Sequence, residues 1–272
     1  MAVGKDRIGI DIGNRLSPEE AIAWAMKNDI HYIDVSFDRD QQLLRDGAGR
    51  LSAVRSKLEK SGVHMGLHPA SAVNAAEINA FVSDAADEYF RAYIAATKNV
   101  GAEWLIVHGG YHFTSDKPAR LKAATDRLKR MSAIAEREGV TLLLENHNPE
   151  PPHAEVRYLA HDLEECQHFF GNLDSPNLRW AFTVNHAHLL PIGIKAFLAG
   201  MDLSRCGEVR IADCRGTIEE HLRIGEGTID FVEMFALIEG GGYRGHYMQG
   251  YTTLDEMLAD RDLLVALAAK AA

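Results

Sequence analysis

Histidines and acids in this chain recur at the ends of apolar runs. His68 closes VHMGLHP, His108 lies near the end of AEWLIVHGG, and Glu145, Asn146 and His147 close VTLLLENH. His186 and His188 follow LRWAFTV, Asp213 comes late in GEVRIADC, His221 lies in the segment after it, and Gln249 comes late in GHYMQGY. Imidazoles and carboxylates that converge on one place serve metal binding or acid–base catalysis. Glu145 stands out, because a carboxylate inside LLLENH is costly to bury unless it meets a cation or hydrogen-bond donors. The other histidines have plainer readings. His31 and His246 begin apolar runs and read as structural, as does His64. His112, His153, His161 and His168 read as solvated.

These residues need elements that aim them at one another. Eight β-rich runs cover 7–13, 31–37, 63–69, 102–110, 140–147, 178–187, 207–214 and 245–251, with helical patterns between them. Ser17-Pro18-Glu19-Glu20 is an N-cap followed by proline and an acidic first turn. Gly62, Gly101 and Gly139 stand where helices should stop before the next strand. One helix should run from about residue 76 to residue 100. Strands alternating with helices imply a parallel sheet with right-handed crossovers. Eight units in 272 residues favour an α/β fold of one closed (β/α)8 barrel over residues 1–272. No GxGxxG follows the first strand, which argues against an open dinucleotide-binding sheet. In a closed barrel the active site lies at the C-terminal ends of the strands, where the histidines and acids collect.

Composition narrows the partners. The net charge is −10, with basic residues scattered among acids, which argues against nucleic acid and for a small molecule. No apolar run is long enough to span a bilayer, and the N-terminus MAVGKDRIGIDIG lacks the pattern of a secretory leader, so a cytoplasmic protein is expected. Cys166, Cys206 and Cys214 have no metal-finger spacing and read as reduced thiols. Trp24, Trp104 and Trp180 read as core. HNPEPPH (147–153) reads as a lid or a subunit contact.

The runs GLHP, LIVHGGY, LLLEN, FTVNHA, RIADCRG, EEHLRIGEGTIDF and YMQGY fall in an order that resembles the xylose isomerase-like barrels. That superfamily includes sugar and sugar-phosphate isomerases and epimerases, inosose dehydratases and the endonuclease IV class. The resemblance covers nearly the whole chain. Its most specific piece is HLRIGEGTIDF. Sugar epimerases of this kind hold one divalent ion through Glu, Asp, His and Glu at strand ends. Carried over, the first ligand is Glu145. Thr183 stands for the Asp, Arg210 for the His and Gln249 for the second Glu. Arginine stays protonated and repels a cation, so the resemblance implies an empty ion position there, with Arg210 pairing with Glu145 or with an anionic group of the substrate. The endonuclease class implies two other sets, His68 and His108 with Glu145, and His186 and His221 with Glu219. These would hold a displaced zinc, manganese or iron ion. The broken ion set and the acidic charge argue against DNA repair.

The expected activity is isomerisation or epimerisation of a sugar or keto-sugar by proton abstraction next to a carbonyl. Glu145 is the base, with Arg210, His186 and Gln249 as donors to the oxyanion. His68, His108, His147, Thr183, His188, Asp213, His221 and Gln249 are expected to contact substrate. Two alternatives stay open: a lyase or dehydratase with a histidine as general acid, and a non-catalytic binding subunit derived from an isomerase. The substrate is a sugar or sugar acid, either neutral or anionic, and the resemblance implies a homo-oligomer.

Overall fold

A computed structural model of the chain describes residues 3–271. Residues 1, 2 and 272 of the expected domain lie outside the described residues. Eight parallel strands close into a barrel in the order β1-β10-β9-β8-β6-β4-β3-β2. The strands are β1 (Ile8–Gly13), β2 (Tyr32–Val35), β3 (His64–Leu67), β4 (Trp104–Val107), β5 (Tyr111–Phe113), β6 (Thr141–Glu145), β7 (Val156–Tyr158), β8 (Leu178–Thr183), β9 (Cys206–Ile211) and β10 (His246–Gln249). The helices are α1 (Pro18–Lys27), α2 (Gln42–Arg45), α3 (Ala48–Ser61), α4 (Ala80–Val100), α5 (Lys117–Glu138), α6 (Leu163–Asn172), α7 (Val184–His188), α8 (Gly193–Ala199), α9 (Phe231–Gly240) and α10 (Leu254–Ala271).

The local signals act as their chemistry dictates. Ser17 Oγ accepts from the Glu20 amide at 3.3 Å while Glu20 accepts from the Ser17 amide at 2.9 Å, a reciprocal cap on α1. Gly62, Gly101 and Gly139 end α3, α4 and α5 at φ of 70°, 75° and 70°, a conformation that costs a side chain energy but not glycine. α4 begins at residue 80 rather than 76, capped by Asn79.

Alternation along the strands sorts the residues. Trp104, Ile106, Leu143, Ala181 and Met248 fill the barrel interior with Tyr32 against them. Gly66 makes room for this layer, since a Cβ there would lie 1.9 Å from Trp104 Nε1. At the N-terminal end, Tyr32 stacks between His64 (4.8 Å) and His246 (4.3 Å), and His246 Nε2 lies 2.9 Å from Glu208. Both histidines are packing elements there. Trp180 and Phe182 face outward and pack on Phe197 of α8.

Three expectations need correction. The sixth run does not stay extended through residue 187. It ends at Thr183 and turns into α7, so His186 is delivered by a helical turn. β5 and β7 form an antiparallel pair above the barrel that joins the loops after β4 and β6. His112 lies in that pair and is buried rather than solvated, with Nδ1 against its neighbour's carbonyl. The three cysteines are free and buried. Among the described residues no helix is long and apolar enough to cross a membrane.

Candidate active site

The mouth of the barrel is a cavity of about 630 Å³ lined by His68, His108, Glu145, His147, His186, Glu219 and His221, with Asp11, Arg15 and Arg39 among others. A smaller chamber of about 170 Å³ adjoins it, between Thr183, Arg210, Gly250 and Arg15.

Glu145 is the centre. β6 ends there, and its carboxylate is buried. Thr183 donates its hydroxyl to Oε1 at 2.6 Å, and His108 Nε2 lies 3.1 Å from Oε2. His68 Nε2 lies 3.6 Å from Oε2 and Arg210 Nε 3.7 Å from Oε1. Burial alone would raise Glu145, but His108, His68 and the Arg210 charge hold it well below the usual carboxylate range. It is therefore ionised, as a base must be.

Asn146 clamps β6 to β8. Its side-chain Oδ1 accepts from the Thr183 backbone amide at 2.8 Å and its Nδ2 donates to the Thr183 backbone carbonyl at 3.0 Å. His147 stacks on Tyr158 of β7 at 3.9 Å and lies parallel to His186 at 5.5 Å. Burial first, then the His108 charge, lowers His147 to about 3, so it is a neutral imidazole. His108 is also lowered, by burial above all. On α7, His186 places Nδ1 2.7 Å from the Asn146 carbonyl and Nε2 3.1 Å from Glu219. Burial opposes its protonation, but Glu219, Glu145 and the Asn146 carbonyl together raise it. His221 meets the same Glu219 oxygen at 2.7 Å.

Arg210 reaches into the barrel beneath Glu145. It donates to Asp11 at 2.5 Å and, through one nitrogen, to Asp34 and Glu208 at 2.6 Å each. Its charge is thus engaged by three carboxylates, of which Asp11 also lines the mouth, and Glu145 is a more distant fourth. Sequence reasoning did not find Asp11, Asp34 or Glu208. The signal was present: Asp11 in IGIDIG and Asp34 in YIDVS are carboxylates inside apolar strands, as Glu145 is, and Glu208 is two residues from Arg210 on the same strand face. Asp11 also accepts from His68, whose Nδ1 lies 2.9 Å away. Burial and the Arg210 charge oppose protonation of His68, yet Asp11 and Glu145 together raise it to about 10.

Three residues expected to contact substrate are directed elsewhere. Gln249 points out of the barrel, because Met248 beside it points in. Its side chain accepts from Tyr251 at 2.7 Å and donates to the Gly9 carbonyl at 3.5 Å. The inward position is Gly250, where a Cβ would stand 3.6 Å from Arg210 and 3.8 Å from Asp11. Asp213 accepts from the amides of Cys214, Gly225 and Gly227 at 2.9 Å and Ile229 at 3.2 Å, so it holds the loop after β9. His188 turns to Thr228 at 2.9 Å and does not line the mouth.

A family model for the xylose isomerase-like TIM barrel matches residues 22–263. The chain belongs to this family. An uncharacterized protein of Methanocaldococcus jannaschii is 29% identical over 185 residues, a match that spans 65% of this chain and 60% of that relative's length. Among solved structures, this xylose isomerase-like barrel is similar to a D-tagatose 3-epimerase-like protein at TM-score 0.83 and 21% identity, covering 97% of this chain and 98% of the other. It is similar to a D-psicose 3-epimerase from Clostridium cellulolyticum H10 at TM-score 0.75 and 15% identity, covering 97% and 96%. It is also similar to a 3-keto-D-glucoside 4-epimerase from E. coli at TM-score 0.73 and 17% identity, covering 97% and 99%. At these identities the likeness shows the fold.

Two groups at the mouth of this barrel could hold a metal ion: His68, His108 and Glu145, and His186, Glu219 and His221. In each the ligand atoms lie within 4.8 Å of one another. Both are two-nitrogen, one-oxygen sets of the kind zinc, manganese and iron accept. A third group, Asp11, Asp34 and His68, already surrounds the Arg210 guanidinium. A fourth, His161, Asp162 and Glu165, lies away from the mouth, with Lys117 2.6 Å from Glu165.

Proposed function

We propose that this chain is a sugar or keto-sugar isomerase or epimerase, working as a single barrel domain by proton abstraction next to a carbonyl. The observation that carries the reading is Glu145: a buried, ionised carboxylate at the floor of a sugar-sized mouth, fixed by Thr183 and His108 and ringed by imidazoles. The likeness of the barrel to two sugar epimerases and to an epimerase-like protein supports it.

Glu145 takes the proton from the carbon beside the substrate carbonyl, whose oxygen becomes the enediolate anion. That anion needs donors. Arg210 and Gln249 were expected to supply them, but Arg210 is engaged below and Gln249 points away. His68 and His186 remain, both raised by neighbouring carboxylates and both lining the mouth. Returning the proton to the other face gives an epimer, and returning it to the neighbouring carbon gives an isomer.

The usual ion position of such epimerases does not fit these residues. Thr183 bonds Glu145 where an aspartate ligand is implied, the inward position just past β10 is Gly250 and offers no ligand, and a guanidinium lies among the carboxylates. The two displaced sets do fit zinc, manganese or iron. An ion at either would polarise a substrate oxygen.

A second reading, a lyase, is favoured by one feature. Glu219 favours the protonated form of His186, and His186 Nδ1 lies 3.9 Å from Glu145, so an acid and a base adjoin as β-elimination requires. The substrate would be a small sugar or sugar acid. We place the protein in the cytoplasm as a homo-oligomer that takes neither nucleic acid nor membrane as a partner, which light scattering and nucleic-acid binding assays would check.

Solvent deuterium incorporation over a panel of ketoses and keto-acids tests the reading. Exchange that disappears in Glu145→Gln is expected, and release of water alongside exchange would identify the lyase. No exchange with any member would instead favour a non-catalytic binding subunit.

A further inference from the structure

Two arginines at the mouth carry charge that no carboxylate takes up. Arg15 follows β1 and Arg39 follows β2, and their loops are joined where the Ser36 amide donates to the Gly13 carbonyl at 2.8 Å. Both arginines line the 630 Å³ cavity and both are exposed. Three neighbouring acids have other contacts, and a fourth, Asp11, has one oxygen engaged. Asp38 accepts from the hydroxyls of Tyr89, Tyr93 and Ser36 and from the Ala70 amide at 2.5–3.0 Å. Asp40 and Glu19 pair with Arg50. Asp11 directs one carboxylate oxygen, Oδ2, to Arg210 and His68, its Oδ1 has no hydrogen-bond partner, and Arg15 meets only its backbone carbonyl at 3.2 Å. Arg15 is steadied by that carbonyl and by those of Ile12 at 3.2 Å and Thr252 at 3.1 Å, which fix the guanidinium without neutralising it. Among the described residues neither arginine has a carboxylate partner.

We propose that Arg15 and Arg39 form an anion subsite on the β1–β2 lip of the mouth, and that the substrate carries a phosphate or carboxylate that binds there while its carbonyl end reaches Glu145. The inference rests on the sugar-isomerase reading of the mouth and adds the charge class of the substrate. A planar guanidinium fork matches the oxygens of either anion, and two forks on adjacent loops can hold one such group. Arg210, the cation that sequence suggested for this purpose, is surrounded by Asp11, Asp34 and Glu208 and cannot serve. A cavity of this volume also has room for more than an unsubstituted monosaccharide.

Deuterium exchange into D-fructose, D-fructose 6-phosphate and the corresponding keto-sugar acid, by wild type, Arg39→Gln and Arg15→Gln, tests the subsite. One anionic compound is expected to exceed D-fructose in kcat/KM by at least about tenfold, and each substitution to shrink that preference about tenfold through KM. The ester leading the acid identifies phosphate, and the reverse identifies carboxylate. Exchange without an anionic preference, or a preference that survives both substitutions, overturns the subsite while leaving the isomerase reading intact. If no compound exchanges, the isomerase reading fails and calorimetry with D-fructose 6-phosphate, the keto-sugar acid and inorganic phosphate decides the subsite alone. Saturable binding of any of them that weakens about tenfold in both variants supports it. No binding, or binding indifferent to the substitutions, overturns it.

Discussion

Arg210 shows how a residue identified from sequence can keep its importance and change its role. The family resemblance implies a histidine ligand at the position of Arg210, and chemistry then allows the arginine to meet Glu145 or a substrate anion. In the fold its long side chain runs inward to Asp11, Asp34 and Glu208, and it reaches Glu145 only at 3.7 Å. Removing one partner from a buried ionic cluster leaves uncompensated charge, so Arg210→Met should destabilise the protein by about 3–5 kcal/mol in urea unfolding. A loss below about 1 kcal/mol would show that the carboxylates do not depend on it. Asp34 gives a second test. Burial first, then the Glu208 charge, raises its carboxyl from 3.8 to about 7. A group raised on folding contributes stability that is complete below its unfolded value and lost as pH rises through the folded one. Wild type should therefore lose stability relative to Asp34→Asn between about pH 4 and pH 7, read as the difference between their unfolding free energies. A difference that stays flat across that window would contradict the shift. Asparagine keeps an acceptor for Trp104, which donates to Asp34 at 2.9 Å.

Among the elements, the C-terminal ends of the strands gather the imidazoles and carboxylates, and the loops beyond them decide which side chains arrive. The segment HLRIGEGTIDF is held by Asp213, whose two oxygens take four backbone amides. Glu219 and His221 lie just ahead of that anchored turn. Asp213→Ala would leave buried amides without acceptors and should cost about 1–3 kcal/mol. It should also weaken any function of Glu219 and His221 without touching either, and faster backbone amide exchange across residues 222–229 would register the loosened loop. Unchanged exchange there would mean that the loop is held by other contacts. The β5–β7 pair plays a similar part on the other side of the mouth, where Tyr158 fixes the ring plane of His147. HNPEPPH connects β6 to this pair and contributes His147 and Asn148 to the cavity wall.

Across the whole barrel, two His-His-carboxylate groups come to one mouth from just past β3 and β4, from β6, from α7 and from the loop after β9. Ligands that bind only the folded state raise its melting temperature. Zinc should therefore stabilise wild type, with less effect in His68→Gln or His221→Gln, whereas magnesium, which prefers oxygen donors, should not. Equal shifts with both ions, or none with zinc, would remove these groups as metal sites. The strand–helix alternation, the helix caps and stops, and the gathering of imidazoles around Glu145 were legible in the order of the residues alone. Each of these follows from periodicity, from a local backbone preference, or from the cost of a carboxylate inside an apolar run. Only the tertiary structure decided which face of β10 carries Gln249, which carboxylates surround Arg210, and which cations at the mouth remain unpaired. Those outcomes depend on strand register and on contacts between Asp11, Asp34 and Arg210, residues up to 199 positions apart, which no local pattern encodes.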